Sequence, residues 1–378
     1  MPNKIFETII VGAGISGLAC GRLLQQYDKD FLIISKDIGG RILTSNDGDV
    51  NYGAFFVCSD YKNVLNFVKL KTRIKLSDFC FHDNNKPYVL FEPKLLVYLI
   101  QFMKFFKTQF KFRKSLRGFR KTSETISQKK TIENDSFLKE LYMKNATDFI
   151  KEYDIQPLTE NYLSKALYST TFSSVTEMNA FSFLQFLLPL ITPIYTFSFE
   201  KEKMIRSFQD KIILGCVYDI KYKNNLYKIK TNDKIFYTKN IVLATPITWS
   251  KKFVSITKIN KPVNTNMLHI AGIAKNVFSK KNYQLFSPFN EVQAIANLND
   301  GTYLLYYRDK IPPLKRYFNE YVILSHHFWN PAGTINGHNL IESNRRNNMF
   351  LIGDYNVAGL EESYISGIYA ANQIIQSN

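Results

Sequence analysis

Gly12, Gly14 and Gly17 stand in the pattern G-x-G-x-x-G, directly after an apolar, β-branched run over residues 5 to 11. Between a strand and a helix, glycines at this spacing form a seat for the pyrophosphate of a dinucleotide. Gly12 makes the tight turn, Gly14 leaves room for phosphate against the backbone, and Gly17 lets the helix lie close on the strand. The N–H groups at the helix start, with Ile15 and Ser16 among them, then face negative charge. A second apolar run, Phe31 to Ile34, leads to Gly40 and Arg41, and an arginine there offers a two-pronged fork to phosphate oxygens. Where such a site usually has Asp or Glu for the ribose hydroxyls, this chain has Ser35, then Lys36 and Asp37. A serine hydroxyl both donates and accepts, so Ser35 and Asp37 both stay open for that role.

These residues need particular elements to hold them. Leu18, Ala19, Leu23 and Leu24 recur at helical spacing after the glycines, and Phe31 to Ile34 then reads as a second parallel strand ending at Ser35. Lys211 to Ile220 reads as a strand, Leu226 to Lys230 pairs with it across Lys223-Asn-Asn, and Lys234 to Tyr237 continues the meander. Ile241 to Ala244 closes the unit as a buried parallel strand. The fold class is α/β: a discontinuous Rossmann-like dinucleotide-binding domain of residues 1–60, 204–249 and 341–378. The remainder, 61–203 and 250–340, is a second domain of mixed α+β character, to which Tyr303 to Tyr307 and Tyr321 to Ser325 contribute strands. The opening Met-Pro-Asn-Lys leads straight into the first strand and has no signal-peptide pattern.

The chain has 378 residues, 45% hydrophobic and 15% aromatic, which suits a globular protein rather than a disordered one. Its four cysteines, Cys20, Cys58, Cys80 and Cys216, have no metal-ligand or C-x-x-C spacing and read as reduced core thiols of a cytoplasmic protein. The net charge is +17. Lys94 to Lys130 holds eleven Lys or Arg against the single acid Glu124, so +10 of it is local. From Pro93 to Lys121 the pattern is helical, with Lys104, Lys107, Lys111 and Lys114 on one face and Leu99, Phe102, Phe106 and Phe110 on another. Residues 94–121 suit either peripheral contact with an anionic membrane or a cover helix with a solvated basic face. No nucleic-acid reading module accompanies the charge. Residues 122 to 135 read as a polar loop, with Asp135 or Ser136 capping a helix over Phe137 to Tyr153. Phe181 to Phe199 is uncharged, but Pro189 and Pro193 argue against a membrane span and for a buried wall or a membrane-facing lip.

Gly39-Gly40-Arg41 and the stretch from Met349 to Ala371 resemble the FAD-dependent family that joins flavin amine oxidases, protoporphyrinogen oxidases and phytoene-type desaturases. The likeness lies at the two ends of the chain. It implies noncovalent FAD, there being no late cysteine to tether the flavin, with Gly53 and Ala54 beside the ring where the neighbouring Asn51 replaces the usual acid. It also implies backbone contact of Val217 with the adenine end, Gly353 and Asp354 at the ribityl chain, and the helix beginning near Leu360 aimed at the flavin edge that becomes negative on reduction. The activity implied is that of an oxidoreductase taking a hydride from a C–H bond of an amine or of an apolar, ring-bearing small molecule, with oxygen or a quinone reoxidising the flavin.

The resemblance leaves the catalytic residue unknown. The family's lysine near flavin N5 should fall about Met267 to Gly272, where this chain has His269, with Lys275 beyond it. One member of the family's aromatic pair is replaced by Gly359, next to Ala358, with Tyr355 and Tyr364 as the nearby substitutes. His326 and His327, next to Phe328-Trp329-Asn-Pro-Ala-Gly, resemble a family segment that borders the cavity, and adjacent strand residues point to opposite faces, so one at most of the two looks inward. Two rival readings stand beside oxidation: a flavin-dependent isomerase or mutase without net oxidation, and a non-catalytic flavin-binding scaffold at a membrane surface.

Overall fold

The computed structural model describes residues 4–377, apart from residues 46, 84 and 85. Strand β1 (Ile5–Gly14), helix α1 (Ile15–Gln26) and strand β2 (Phe31–Gly39) open the chain as a parallel β-α-β unit. From Thr8 to Ala13 β1 is buried on both faces, which suits the apolar run Ile9 to Val11. Ile10 packs with Leu18, Leu24, Val242 and Ala370 on the helical side, while Ile9 and Val11 pack with Tyr227, Ile229 and Leu243 on the other. β2 runs on past Ser35 to Gly39, because a register shift after Val11 lets Ala13 and Gly14 pair with Ile38 and Gly39.

The sheet has eight strands, drawn from 5–39, 212–243 and 344–351. The expected strand from Lys211 to Ile220 is two strands. Ile212–Leu214 pairs parallel with β2, and Val217–Lys223 pairs antiparallel with Leu226–Thr231, so Gly215 and Cys216 mark the change of partner. The hairpin turns at Asn224 and Asn225, both at positive φ, as a tight two-residue turn requires. A seven-stranded sheet combines Phe79–Asp83 and Lys86–Val89 with five strands between Lys261 and Asn336, and Phe318–Asn336 is its edge. A three-stranded sheet of Val57–Cys58, Ile194–Phe199 and Val68–Ile74 lies apart from both.

The helical layer begins with a 3-10 turn, Pro93–Tyr98, that leads into α2 (Leu99–Thr122). Its inward stripe is Phe102, Phe105, Gln109, Phe112, Leu116 and Phe119. Phe106 is half-buried, whereas Leu99 and Phe110 lie on the solvent side, so the apolar face expected from spacing is only partly the one the fold buries. Residues 128–134, expected as loop, form a helix: Ser127 caps it, Ile132 is wholly buried, and the Gln128 amide donates to the Glu362 carbonyl. Asp135 caps the next helix by accepting from the Leu138 N–H. The single helix expected over Phe137 to Tyr153 is two, Ser136–Met143 and Ala146–Glu152. Between them the backbone is taken by another segment: the Ala146 N–H donates to the Met178 carbonyl and the Lys144 carbonyl accepts from Ala180. The uncharged run near its start is a helix, Ala180–Phe186, and at its end the strand Ile194–Phe199.

The closing helix, Leu360–Gln376, lies against α1. A Cβ on Gly367 would stand 2.1 Å from the Ser16 carbonyl oxygen and 3.0 Å from the Cys20 nitrogen. Alanine favours helix over glycine by about 1 kcal/mol, but overpacking against backbone costs about 1–3 kcal/mol. Gly367→Ala should therefore lower the urea midpoint. Gly118→Ala, in α2 where a Cβ meets nothing within 4 Å, should raise it. A Gly367→Ala variant as stable as the parent would show that the two helices do not meet as described.

Candidate cofactor and substrate cavity

The glycine turn works by steric exclusion. Gly12 has φ +109, and a Cβ there would lie 2.6 Å from the Ala244 carbonyl oxygen. A Cβ on Gly17 would lie 2.0 Å from the Gly12 carbonyl oxygen, so α1 can leave the strand at this angle only without a side chain. Gly14 differs: its Cβ would meet nothing within 4 Å, because it borders open space. α1 starts there with no side-chain cap and no acid in its first turn. Orphan N–H groups at a helix start need a partner, and an anion in the open space would supply one.

That space is the near end of a cavity of about 1130 Å³, above the roughly 300–1,000 Å³ of ordinary ligand pockets. It has room for a dinucleotide and a second molecule. Gly12, Gly14, Ile15, Ser16, Ser35, Lys36, Gly40, Arg41, Gly53, Ala54, Val217, Gly353, Asp354 and Leu360 all line it, as does Asp37. Gly17 does not; its part is the helix–strand contact.

Several of these groups already have partners. The Ser35 hydroxyl accepts from the Ala13 N–H at 3.0 Å, which fixes the turn and leaves its own proton to donate. Arg41 and Asp354, expected to serve different parts of a cofactor, hold each other. The guanidinium makes two parallel bonds of 2.6 and 2.8 Å to the carboxylate, and a third, of 3.2 Å, to the Ala332 carbonyl. Two of its five N–H groups remain for phosphate. Burial opposes charge on Asp354, but the Arg41 charge and hydrogen bonds outweigh it and hold the carboxyl below its ordinary value. The smallness of Gly53 answers to backbone, since its Cβ would lie 2.1 Å from the Arg41 carbonyl oxygen. The Asn51 amide donates to the Phe197 carbonyl, tying this segment to the small sheet.

The start of the closing helix is not the free positive end that was expected. Its first turn carries two buried acids, Glu361 and Glu362. Glu361 accepts from the N–H groups of Lys62, Asn63 and Val64 at 2.9 to 3.0 Å. Glu362 is wholly buried and pairs with Arg120 at 2.8 Å. Burial raises its carboxyl by more than Arg120 lowers it. These carboxylates already answer the helix dipole, so the turn offers a ligand less positive potential than the start of α1. Gly359 has a local reason too: it stands at φ +138, where any side chain is strained, and its Cβ would lie 2.2 Å from Glu362 Oε2.

The catalytic candidates lie off the cavity wall. His269 meets the Tyr52 hydroxyl at 3.3 Å, and burial lowers its pKa. Lys275 sits at the far end of its strand, where its N–H donates to the Tyr317 carbonyl. Tyr355 is buried in the cluster that holds Ile9, Val11 and Leu243, and Tyr364 stacks on Phe67. His326 bonds Tyr307 and Asn266, and His327 stacks on Tyr52. The wall is built instead from Phe328 and Trp329, in the segment beside those histidines, from Phe172 stacked on Tyr306, and from Tyr162 and Arg120, which the sequence did not single out. Phe172 at φ +60 closes a helix in the left-handed region. Residues Gln185–Leu190 and Ile194 also line the cavity, so the uncharged run serves as a buried wall. Cys58 lies on this wall with its thiol pushed up to about 12, mainly by burial. Cys216 is exposed rather than a core thiol.

Residues 10–69 match the model of the NAD(P)-binding Rossmann-like domain. No curated protein matches the sequence. Among solved structures, a double mutant of putrescine oxidase, from a redesign of cofactor binding, superposes with a TM-score of 0.72 at 11% identity, covering 99% of this chain and 100% of that one. A putative protoporphyrinogen oxidase from Exiguobacterium gives 0.67 at 12%, covering 100% of both. A fatty acid isomerase from P. acnes, described as CLA-producing, gives 0.68 at 14%, covering 98% of both. The fold is therefore the α/β fold shared by amine oxidases and protoporphyrinogen oxidases, as the end motifs implied, and it extends through the middle of the chain where sequence likeness was thin.

The Arg41–Asp354 pair gives a pH test. Asp354 binds its proton more weakly in the folded than in the unfolded chain, so its contribution is present above the ordinary carboxyl pKa of about 3.9 and fades as pH falls below it. Asp354→Asn should cost about 1–3 kcal/mol near pH 7. The gap to the parent should narrow on acidification toward about pH 3. An equal gap in urea unfolding at both pH values would count against the pair.

Proposed function

We propose that this chain is an FAD-dependent oxidoreductase, binding FAD noncovalently and taking a hydride from a C–H bond of an apolar, ring- or chain-bearing substrate. One observation carries the substrate class. Beyond the glycine turn the cavity continues into a chamber walled by Phe56, Ile74, Phe79, Phe81, Leu187, Leu188 and Tyr283, with no carboxylate on its wall among the described residues. Among the described residues its one charged lining residue is Arg120, already paired with Glu362 and close to Asp60. A cationic amine would find no anion there, and a buried unpaired charge is costly. Together with the missing cage residue at Gly359, this favours an uncharged apolar substrate over a simple amine.

The residues divide the work. The N–H groups from Gly14 to Gly17, with Arg41, would hold the pyrophosphate; Ser35 and Asp37 would meet the adenosine ribose, and Asp354 would keep Arg41 in place. Bound FAD supplies the hydride acceptor, so the protein's task is to place a C–H bond against it in a dry chamber. Trp329, Tyr306 and Phe172 would orient an apolar ring or chain. The likeness to the fatty acid isomerase supports a second reading on the same site, rearrangement without net oxidation.

The purified protein should be yellow and release FAD on acid treatment. Gly14→Val is the sharper check: the added side chain meets open space, so the fold should keep its thermal midpoint while flavin binding is lost. Retention of full flavin by this variant would remove the glycine turn from the site. Apolar substrates that bleach the flavin under anaerobic conditions support oxidation; turnover only after prereduction, with no net redox change, would establish the isomerase reading instead.

A further inference from the structure

We propose that the start of α2, with the turn before it, is a docking surface for an anionic lipid membrane and lies in the plane of its headgroups. Phe91, Leu96, Val97, Leu99, Ile100 and Met103 are 55–76% exposed and follow one another within thirteen residues. A run of large apolar side chains left in water is an unsatisfied surface. The outer face of α2 continues the pattern at helical spacing: Ile100, Met103, Lys107, Phe110 and Lys114 are all exposed and share one side, opposite the buried stripe. Apolar side chains leading into lysines suit a helix whose apolar residues sink below the headgroups while its cations meet lipid phosphate.

Charge complementarity selects the lipid. Among the acids near this face, Asp154 is paired with Lys104 and Glu92 accepts from the Val89 N–H. Lys107 and Lys114 have no acidic partner among the described ion pairs. A second copy of the chain would bring its own excess of cations to the same face. No described helix is long and apolar enough to cross a membrane, so contact is with one leaflet.

The position gives the surface a purpose. Leu90 and Phe102 line the far end of the cavity, and their chain neighbours Phe91 and Met103 are in the exposed patch. The apolar chamber and the apolar surface are two sides of one layer. A substrate dissolved in lipid would be delivered beside the chamber; that step rests on the reading of the chamber as a substrate site, whereas docking does not.

The test is co-sedimentation of the full-length protein with vesicles, either phosphatidylglycerol with phosphatidylcholine or phosphatidylcholine alone. The protein should bind the anionic vesicles, less so as salt rises, and bind the neutral ones weakly. Lys107→Gln with Lys114→Gln should weaken partition by roughly thirtyfold. Ile100→Glu with Met103→Glu should weaken it at least about tenfold. All four side chains are exposed, so thermal midpoints should hold and report that the variants are folded. The proposal fails if anionic vesicles do not bind, if either pair leaves binding unchanged, if neutral vesicles bind equally, or if the parent is a dimer that Ile100→Glu dissociates. Flavin content is read separately, so loss of the FAD reading would leave this result standing.

Discussion

The first and last helices meet backbone to backbone. Gly17 brings α1 onto the Gly12 carbonyl, and Gly367 brings the closing helix onto the Ser16 carbonyl. A side chain at either place would push the layers apart and dissolve the turn that leaves Gly14 facing open space. Because the closing helix is fixed in this way, the strand before it, Met349–Leu351, joins the sheet beside Ile235–Leu243, and Asp354 comes within reach of Arg41. Residues more than three hundred positions apart thus share one wall through a contact that contributes no chemistry.

A second tie joins the helical layer to that frame. Arg120 of α2 reaches Glu362 and Asp60, while Gln128 reaches the Glu362 carbonyl. A buried ion pair is weak evidence of stability, because desolvation offsets much of the attraction. Its better-supported role here is registry. An apolar interface would tolerate sliding, whereas a slip here would leave Arg120 and Glu362 buried without each other. Arg120 therefore sits on the cavity wall as a neutralised cation, and α2 is held where Phe102 closes the chamber.

The distribution of charge within the cavity follows from these two anchors. Cations and free N–H groups collect at the glycine turn, where β1 and β2 end and α1 begins. The chamber beyond is walled by side chains from the three-stranded sheet, the helical layer and the strands of the seven-stranded sheet, each presenting its apolar side inward. The wall is thus apolar at one end and rich in hydrogen-bond donors at the other.

The anion-binding end was legible in the sequence because it is local. Gly12, Gly14 and Gly17 lie within six residues, the strand and helix around them declare their periods, and Arg41 and Asp354 stand in short motifs of their own. Much of the rest depended on distant partners. That Arg41 and Asp354 bind each other, that the helix breaks at Lys144 and Asn145 because Met178 and Ala180 take the backbone groups of Ala146 and Lys144, and that Phe110 faces water while Phe105 does not, are decided by what packs where. The chamber is the clearest case. Trp329, Tyr306, Phe172 and Arg120 share no local pattern, and the histidines and lysine that looked catalytic by position along the strand point elsewhere. Local steric and hydrogen-bonding rules act over a few residues and can be read from a string; a cavity is a surface shared by segments far apart in the chain, and only their packing brings its walls together.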